Sequence, residues 1–390
     1  MAINKKSLSV RVAGQAAGEL FNEQNEFIFR YDSDAAQQDF VSLTMPVRGR
    51  DYSHSALPPL FEMHLPEGYL LSVLQRHFAK LNGADDLSLL KLLAPSVRGR
   101  VHYQTNTDTT QPLELTDLLS PAAGLFDELV ARFALHSPVS GVQPKVLAQI
   151  QDKATLCIED YIVKAWGPDY PQLALNEYWC MRVLKAAGIT VPEFYLSDDG
   201  ALFIMKRFDF TSSGQWLGFE DMCVLAAKSR QQKYEGSYEQ LAKTIANFVS
   251  PAHKVTALQQ FFKMLVLNNR LQNGDAHLKN FGLLYEDIYN IWLAPAFDVV
   301  STTAYIKNDV SALTLMGSRK WWARKHLLTF GVQHCALTQA QANALYDECE
   351  QAMQRVATQI QQALVTEEVA DKQQILTHLL SCLTPDQIIE

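Results

Sequence analysis

NGDAHLKNFG, residues 273–282, places an acid, Asp275, five residues before an amide, Asn280, and a second acid, Asp298, follows eighteen residues later. The Asn-Gly pair favours a turn, so Asp275 is expected on a loop that follows a helix over 252–271. In phosphoryl transfer one acid orients the attacking hydroxyl, while an amide and a second acid hold Mg²⁺ against the nucleotide phosphates. The spacing therefore predicts the catalytic loop of a phosphotransferase.

Two further side chains of this loop have expected roles. Lys279 would balance phosphate charge near the γ position, and His277 would brace the loop. Asp275 needs no raised pKa if it mainly orients a hydroxyl, because phosphoryl transfer relies on positioning and electrostatics. Taken without its neighbours, the stretch NGDAHLKN is equally consistent with an Asx turn whose charged side chains are solvated. Asp298, which follows Phe297 and a strand-like run, reads alone as a strand-end cap, so the interpretation depends on these residues acting together.

The composition is that of an ordinary globular protein of two or three domains. The chain has 390 residues, of which 48% are apolar and 19% charged. A net charge of −8 gives no overall basic field for nucleic acid or membrane. Six scattered cysteines show no zinc spacing and are expected to be buried and reduced. Because no signal peptide or apolar run of about 18 residues is present, we expect a cytoplasmic protein without a membrane partner.

The apolar pattern divides the chain into three regions. A small α/β subdomain is expected over residues 1–110, and a polar segment at 104–118 marks its boundary. A sheet-rich lobe is expected over 119–208, followed by a helical lobe over 209–390. The predicted fold class is therefore α+β: a two-lobed, protein-kinase-like fold with a sheet-rich N-lobe, the N-terminal subdomain and an all-α C-lobe.

Periodicity and turn residues predict the individual elements. Strands are predicted at 7–13 and 26–31 (joined by a turn with Gly14 and Gly18), 57–65 (strand or loop), 146–151, 154–163, 191–196, 201–207 and 288–293. Helices are predicted at 67–81, 87–94 (capped by Asp85-Asp86), 119–134, 173–187, 219–228, 237–247, 252–271, 338–364 and 367–383.

A lysine at the end of an apolar strand is the first candidate for nucleotide binding. Lys164 ends the strand-like run Tyr161-Ile162-Val163-Lys164. In kinases, the lysine that contacts the α- and β-phosphates also lies on a strand. Glu177, on the next helix, is the candidate ion-pair partner. The alternative is an edge-strand lysine that reaches solvent.

Two other segments are candidates for ATP contacts. A phosphate loop is expected just before the sheet, where backbone N–H groups and Lys145 would cradle phosphate. It has one glycine rather than G-x-G-x-x-G, and a surface turn is equally consistent with it. A second segment follows strand 201–205, where its backbone would meet the adenine edge; the alternative is an ordinary strand exit. These segments are Ser140-Gly141-Val142-Gln143-Pro144-Lys145 and Lys206-Arg207-Phe208-Asp209.

A run of basic and aromatic residues, Arg319–His326, is the last candidate. Basic residues interleaved with aromatic ones bind nucleic acid in some proteins. More often the tryptophans belong to the core and the charges are solvated. In a kinase the run would instead dock an acidic or a tRNA-bound substrate.

Together these segments resemble the HipA family of bacterial toxin serine/threonine kinases, over roughly residues 138–304. Residues 1–110, with Leu65-Pro66-Glu67-Gly68, are similar to the family's N-terminal subdomain. GVQPK and NGDAHLKNFG are closest to the short HipT-type toxins, whose N-terminal subdomain is a separate protein; here it is fused. The matching segments are Gly141–Lys145, Tyr161–Lys164, Asn176-Glu177-Tyr178, Arg207-Phe208-Asp209, Glu220–Cys223, Lys233-Tyr234, Asp275–Asn280 and Phe297-Asp298.

The resemblance implies ATP and Mg²⁺ as cofactors, Asp275 as the catalytic residue, and Asn280 and Asp298 as metal ligands. It implies a helix-turn-helix HipB-like antitoxin as partner, with DNA bound only through the antitoxin. The implied substrate is an aminoacyl-tRNA synthetase, whose phosphorylation on serine inhibits translation, arrests growth and produces persistence. The implied ATP-binding residues are Ser140, Gly141, Val142, Gln143, Lys145, Lys164, Lys206, Arg207, Phe208, His277, Lys279, Asn280 and Asp298.

The family also implies inactivating autophosphorylation in the phosphate loop. Its main modified serine corresponds to Pro138 here, so Ser140 is the expected site and Ser137 the second. Two alternatives stay open at this point. One is a catalytically inactive kinase fold that serves as a binding or regulatory module, and the other is a small-molecule phosphotransferase. The presence of Lys164, Asp275, Asn280 and Asp298 favours an active protein kinase.

Overall fold

A computed structural model describes residues 7–65, 85–104, 113–122, 124–125, 145–151, 158–211 and 213–384. The predicted helix 67–81, most of the predicted helix 119–134 and the phosphate loop before Lys145 lie outside these residues. The chain divides into two compact units. Unit 1 comprises Met1–Lys164, Lys206–Gln232 and Leu284–Tyr289; unit 2 comprises Ala165–Met205, Lys233–Leu283 and Asn290–Glu390.

The described residues form a mixed α+β structure. Its strands are β1 (Ser7–Val12), β2 (Gln15–Glu23), β3 (Glu26–Tyr31), β4 (Tyr52–His54), β5 (Val101–Tyr103), β6 (Lys145–Gln151), β7 (Ile158–Lys164), β8 (Phe194–Leu196), β9 (Phe203–Lys206), β10 (Gly218–Asp221), β11 (Gly282–Tyr285) and β12 (Ile291–Leu293). Its α-helices are α1 (Pro59–Glu62), α2 (Asp86–Leu93), α3 (Leu115–Leu119), α4 (Leu173–Ala186), α5 (Met222–Leu225), α6 (Tyr238–Phe248), α7 (Pro251–Arg270), α8 (Arg324–His334), α9 (Gln339–Thr366) and α10 (Ala370–Leu383).

A five-stranded sheet with the order β4-β3-β2-β1-β5 begins unit 1. The interpretation of Gly14 and Gly18 as one long turn was wrong, because β2 occupies most of that segment. Gly18 lies inside β2 opposite Tyr31, and a Cβ there would lie 2.1 Å from the carbonyl oxygen of Arg30. This glycine therefore permits close approach of two backbones rather than a turn.

The inner face of this sheet forms an apolar core with two helices. Val10, Leu20 and Phe29 are almost completely buried, and the ring of Phe61, in α1, packs against that of Phe29 with a tilt of 51° and centroids 5.3 Å apart. The segment predicted as strand or loop at 57–65 thus contains a helix, α1. The predicted cap of the next helix is confirmed, because the carboxylate of Asp85 accepts a hydrogen bond of 2.7 Å from the amide of Ser88.

A buried carboxylate, Glu220, is the main polar feature of unit 1. It accepts hydrogen bonds from the hydroxyl of Ser42 at 2.8 Å, the amide of Leu43 at 2.7 Å and the hydroxyl of Tyr285 at 2.8 Å. Burial raises the pKa of Glu220 to about 7, although the three hydrogen bonds favour its charged form. The helix predicted at 219–228 was wrong at both ends: Glu220 lies in β10, and α5 covers only Met222–Leu225.

Helices dominate unit 2, which also includes residues 165–205, a segment that the sequence analysis assigned to the sheet-rich lobe. The helix predicted at 173–187 is α4, and Gly188, with φ of 72°, follows it. Strands β8 and β9 pair antiparallel around the predicted turn at 198–200. The predicted helices 237–247, 252–271, 338–364 and 367–383 correspond to α6, α7, α9 and α10.

Some elements after residue 209 were not predicted. Helix α8 begins inside the basic and aromatic run, at Arg324, where the composition gives no clear apolar stripe. Strands β10 and β11 were also missed, so the region 209–390 is helical with short strands rather than all-α. No helix among the described residues is both long and apolar enough to cross a membrane.

Candidate active site

The loop after α7 is held by its own first side chain. Asn273 is 1% exposed, and its amide nitrogen donates to the side-chain oxygen of Asn268, in α7, at 2.8 Å. The side-chain oxygen of Asn273 in turn accepts the amide of Asp275 at 3.1 Å. This is the Asx turn that the Asn-Gly pair predicted, and it turns the chain away from the helix end at Asp275.

Gly274 lies where the loop passes close to a second segment. Its amide donates to the hydroxyl of Thr302 at 2.8 Å. A Cβ at this position would lie 2.0 Å from the carboxylate of Asp309 and 2.8 Å from the Thr302 hydroxyl. The site therefore needs a residue without a side chain, because the loop packs directly against these two groups.

Asp275 is fixed through both its backbone and its side chain. Its carbonyl oxygen accepts the amide of His277 at 2.7 Å and the side-chain nitrogen of Asn280 at 2.8 Å. Its carboxylate Oδ1 accepts the hydroxyl of Tyr234 at 2.6 Å and lies 3.9 Å from Nε2 of His277. The Asp275 side chain is nevertheless 39% exposed, so a hydroxyl from solvent or substrate has access to the carboxylate.

Asn280 connects the two predicted acids. It ends a short 3₁₀ turn, Leu278–Asn280, and its Nδ2 donates to the carbonyl oxygens of Asp275 at 2.8 Å and of Asp298 at 3.4 Å. Because Nδ2 makes these two hydrogen bonds, Oδ1 of Asn280 points to the opposite side of the amide group, where it is a neutral oxygen atom that suits metal binding. The three residues that the sequence predicted to act together are thus brought together by one amide group.

Asp298 has a left-handed backbone with φ of 60°. For a residue other than glycine this conformation costs on the order of 1 kcal/mol or more and is concentrated at functional sites. Asn280 and Asp298 offer one amide and one carboxylate oxygen donor, which suits Mg²⁺ bound largely through water and phosphate. The described residues contain no cluster of three or more His, Cys, Asp or Glu that would form an all-protein metal cage.

The segment after Asp298 is anchored from two helices. Ser301 exchanges two hydrogen bonds with the side chain of Asn176, in α4, at 2.8 and 2.9 Å. The hydroxyl of Ser301 also lies 3.0 Å from Nε2 of His378, in α10. Burial lowers the pKa of His378, so this ring is neutral at physiological pH and either donates to or accepts from the hydroxyl.

The other predicted residues of unit 2 lie in the same loop. His277 is 6% exposed and packs edge-on against the ring of Tyr234, at 5.2 Å between centroids. Lys279 is also buried. The bracing role predicted for His277 is consistent with this packing, and its contact with ATP stays a prediction.

The nucleotide-binding residues predicted in the other unit are only partly described. Lys164 ends β7 and is 2% exposed. Arg207 donates its side chain to Asp209 and to the carbonyl oxygen of Arg98, and its amide donates to the carbonyl oxygen of Asp160 at 2.9 Å. These contacts give Arg207 a structural role, while its predicted contact with adenine is untested.

For the remaining predicted ATP-binding residues, the structure gives the position in a strand or a single contact. Lys206 ends β9, and the ring of Phe208 packs edge-on against Phe219 at 5.7 Å. Lys145 begins β6. The predicted phosphate-loop and autophosphorylation residues Ser137, Ser140, Gly141, Val142 and Gln143 lie outside the described residues.

The tryptophans of the basic and aromatic run have structural contacts. Trp322 bonds through its backbone amide and carbonyl to the side chain of Asn269, at 2.7 and 2.9 Å. The indole of Trp321 donates to the carbonyl oxygen of Asp309 at 3.2 Å. Trp321 and Trp322 are each only half-buried, so they lie at the edge of the core rather than within it.

Two side chains that hold the loop, Tyr234 and Thr302, were not predicted to contact it, although Tyr234 belongs to the Lys233-Tyr234 segment that matches the family. Tyr234 lies 41 residues before Asp275, and Thr302 lies 28 residues after Gly274. No spacing rule links residues this far apart. Only the fold brings their hydroxyls to the loop.

An acid, an amide and a second acid on adjoining loops of an α+β fold define a protein of the kinase-like class. A family model described as the HipA-like C-terminal domain matches residues 137–357, and one described as the HipA N-terminal domain matches residues 8–104. The chain belongs to the HipA family, as the sequence motifs predicted.

Individual relatives have low sequence identity to this chain, and two of the three comparisons below extend over most of it. A Sinorhizobium fredii protein named Putative kinase Y4dM is 28% identical over 348 residues, which are 80% of this chain and 81% of that protein. A Haemophilus influenzae protein named Putative kinase is 30% identical over 186 residues, 43% of this chain and 53% of that protein. A solved chain of the Shewanella oneidensis toxin–antitoxin complex of HipA, HipB and operator DNA superimposes with a TM-score of 0.71 at 19% identity, covering 97% of each chain. At this identity the likeness shows the fold, and it confirms the predicted kinase-like class.

Proposed function

We propose that this protein is an ATP-dependent serine/threonine protein kinase that acts as the toxin of a bacterial toxin–antitoxin system. The observation that carries the proposal is the double hydrogen bond of the Asn280 amide to the backbones of Asp275 and Asp298. It holds Asp275, the proposed hydroxyl-orienting acid, beside Asn280 and Asp298, the proposed metal ligands, and phosphoryl transfer needs such an arrangement.

In the proposed reaction a substrate hydroxyl donates a hydrogen bond to the carboxylate of Asp275. The hydroxyl oxygen then forms a bond to the γ-phosphorus of ATP, the bond from that phosphorus to the β–γ bridging oxygen breaks, and ADP leaves. Asp275 accepts or orients the departing proton. Bound Mg²⁺, held by Asn280 and Asp298, would neutralise phosphate charge. Lys279 and Lys164 are the proposed basic contacts to the phosphates.

The proposed partners follow from the family. The Shewanella structure contains HipA with HipB and operator DNA. By analogy, this chain would bind a HipB-like helix-turn-helix antitoxin and reach DNA only through it. The proposed substrate is an aminoacyl-tRNA synthetase, modified on serine in the cytoplasm, with inhibition of translation and growth arrest as the result.

Autophosphorylation of the phosphate loop is the proposed means of inactivation. Ser140 lies directly before Gly141, and Pro138 occupies the position of the family's main modified serine. Mass spectrometry of the full-length protein after incubation with Mg·ATP is expected to find phosphate on Ser140, with Ser137 second. Phosphate on neither residue would contradict this part of the proposal.

The catalytic assignment is tested by transfer of the γ-phosphate from labelled ATP. The wild-type protein should label protein serine or threonine, and Asp275→Gln should abolish labelling without a change in thermal unfolding. Asp371→Asn, an exposed acid in the first turn of α10, is the matched control and should stay active. Full activity of Asp275→Gln would refute the catalytic role.

The physiological substrate and the competing class are tested in cells. Phosphoproteomics after induction of the wild-type protein, compared with Asp275→Gln, should show one dominant new phosphoserine on an aminoacyl-tRNA synthetase. Toxicity should disappear with the same substitution. Equal toxicity of both proteins would instead identify an inactive kinase fold that acts by binding.

A further inference from the structure

We propose that Tyr234 is a positioning residue for the catalytic acid. Its hydroxyl donates to Oδ1 of Asp275 at 2.6 Å, a short hydrogen bond to a carboxylate. The inference deepens the proposed function and rests on it, since it concerns how Asp275 is oriented for the attacking hydroxyl. Neither spacing nor composition pointed to this contact.

The hydrogen bond leaves one carboxylate oxygen of Asp275 for substrate. Oδ1 of Asp275 accepts the hydroxyl of Tyr234 and also lies 3.9 Å from Nε2 of His277. The Asp275 side chain is 39% exposed. The backbone of Asp275 is already fixed by Asn273 and Asn280. The Tyr234 hydroxyl therefore restrains the remaining freedom, rotation of the carboxylate, and Oδ2 is the oxygen that receives the substrate hydroxyl.

The segment that carries Tyr234 is itself attached to the catalytic loop. The carbonyl oxygen of Lys233 accepts the amide of Leu278 at 3.0 Å. The Tyr234 ring packs edge-on against His277, with an interplanar angle of 80°. The exposed Arg319 donates to the carbonyl oxygen of Tyr234. Because the tyrosine is held at its backbone and ring as well, its hydroxyl is a preorganised donor rather than a mobile one.

Preorganisation of this kind acts on the chemical step rather than on nucleotide binding. A carboxylate held at one rotation keeps the attacking hydroxyl aligned, and misalignment of a reacting group by about 1 Å costs on the order of a hundredfold in rate. Tyr234 does not exchange protons with the substrate in this scheme. Its removal should lower kcat and leave the KM for ATP nearly unchanged.

The experiment measures initial rates of Mg·ATP turnover by the full-length protein, as ADP release over a range of ATP concentrations. Tyr234→Phe, which keeps the ring against His277, should lower kcat at least about tenfold, with KM for ATP within about twofold of wild type. The matched control is Tyr238→Phe, which removes a hydroxyl hydrogen-bonded to Ser311 at 3.3 Å and should retain kcat.

Failure of this inference is distinguishable from failure of the proposed function. If the wild-type protein turns over ATP, Asp275→Gln does not, and Tyr234→Phe equals or exceeds wild type, the positioning role is wrong while the kinase assignment stands. A faster Tyr234→Phe variant would mean that the hydroxyl competes with substrate. If Asp275→Gln is as active as wild type, both proposals are overturned. Thermal unfolding of Tyr234→Phe and Tyr238→Phe checks that both variants are folded.

Discussion

The side chain of Asn176 exchanges two hydrogen bonds with the backbone of Ser301, three residues after Asp298. Nδ2 of Asn176 donates to the carbonyl oxygen at 2.9 Å, and Oδ1 accepts the amide at 2.8 Å. Asn176 is completely buried in α4. The Asn176 side chain pairs with both backbone polar groups of Ser301, as a neighbouring strand pairs with an extended backbone. It therefore holds the segment after Asp298, residues 299–301, which is neither helix nor strand.

Asn176→Ala should therefore destabilise the protein and weaken its use of Mg²⁺. The substitution leaves the buried amide and carbonyl of Ser301 without their partner, which should lower the free energy of unfolding by about 2–4 kcal/mol. It should also raise the Mg²⁺ concentration for half-maximal ATP turnover, because the backbone at Asp298 is no longer held. Denaturant unfolding and a Mg²⁺ titration measure the two effects.

The control for this variant is Asn343→Ala, which removes a half-buried helix asparagine that donates to the carbonyl oxygen of Gln339 at 2.9 Å and accepts from Arg324 at 3.4 Å. It should change the free energy of unfolding by less than about 0.5 kcal/mol. Equal stability of the two variants would show that the bonds between Asn176 and Ser301 contribute nothing.

Asn280→Ala should have its largest effect on activity. The side chain supplies both the donor that joins Asp275 to Asp298 and the oxygen proposed to hold Mg²⁺. We expect ATP turnover to fall at least about a hundredfold at low Mg²⁺, with partial recovery at high Mg²⁺, because one of several ligands is lost. Chelation of Mg²⁺ by EDTA should abolish wild-type turnover. Loss that is independent of Mg²⁺ concentration would assign Asn280 to loop structure alone.

The elements of this site differ in how far the sequence predicts them. Asp275, Asn280 and Asp298 follow from spacing, because the loop and the short strand between them fix the path of the chain. The Asx turn at Asn273 is likewise local. The contact of Tyr234 with Asp275 was not predicted, since it depends on long-range packing that no periodicity encodes.

The same distinction holds for the fold. Helices α6, α7, α9 and α10 have long periodic patterns and were predicted within a few residues. The prediction of a turn in place of strand β2 is wrong, because glycine favours turns by local preference. Gly18 instead lies within the strand, where the absence of a side chain permits close approach to the backbone of Arg30. Helix α8 was missed, because it begins with charged residues and its two buried apolar side chains, Leu327 and Phe330, are too few to mark a stripe.

Gly274→Ala should damage the catalytic loop through sterics alone. The added methyl group would lie 2.0 Å from the Asp309 carboxylate, which is bonded to the hydroxyl of Thr302 and to the amide of Val310 and therefore cannot move away freely. We expect a loss of about 1–3 kcal/mol in unfolding free energy and a marked fall in ATP turnover. Gly49→Ala, where nothing lies within 4 Å of the added carbon, is the control and should be neutral. Normal turnover by Gly274→Ala would show that the loop adapts.

Glu220 predicts a pH dependence of stability in unit 1. Burial raises its pKa to about 7 in the folded state, above the ordinary value of 4.5 expected when unfolded. The folded state thus holds the proton more tightly. The resulting stabilisation is fully present below pH 4.5 and is lost as the pH rises through about 7. The positive charge of Arg100, stacked on Tyr285 at 5.4 Å, and the negative charge of Asp221 both lie in the surroundings of Glu220.

Glu220→Gln keeps the shape of the side chain and removes the titration. Relative to wild type it should be more destabilising at pH 5 than at pH 8, with a difference of up to about 3 kcal/mol, since each pKa unit corresponds to about 1.4 kcal/mol. Urea unfolding at several pH values measures this difference. Glu19→Gln, an exposed carboxylate of β2, should show a much smaller change over the same range. If Glu220→Gln follows the wild-type pH profile, the buried carboxylate does not titrate between pH 4.5 and 7, and its three hydrogen bonds outweigh its desolvation.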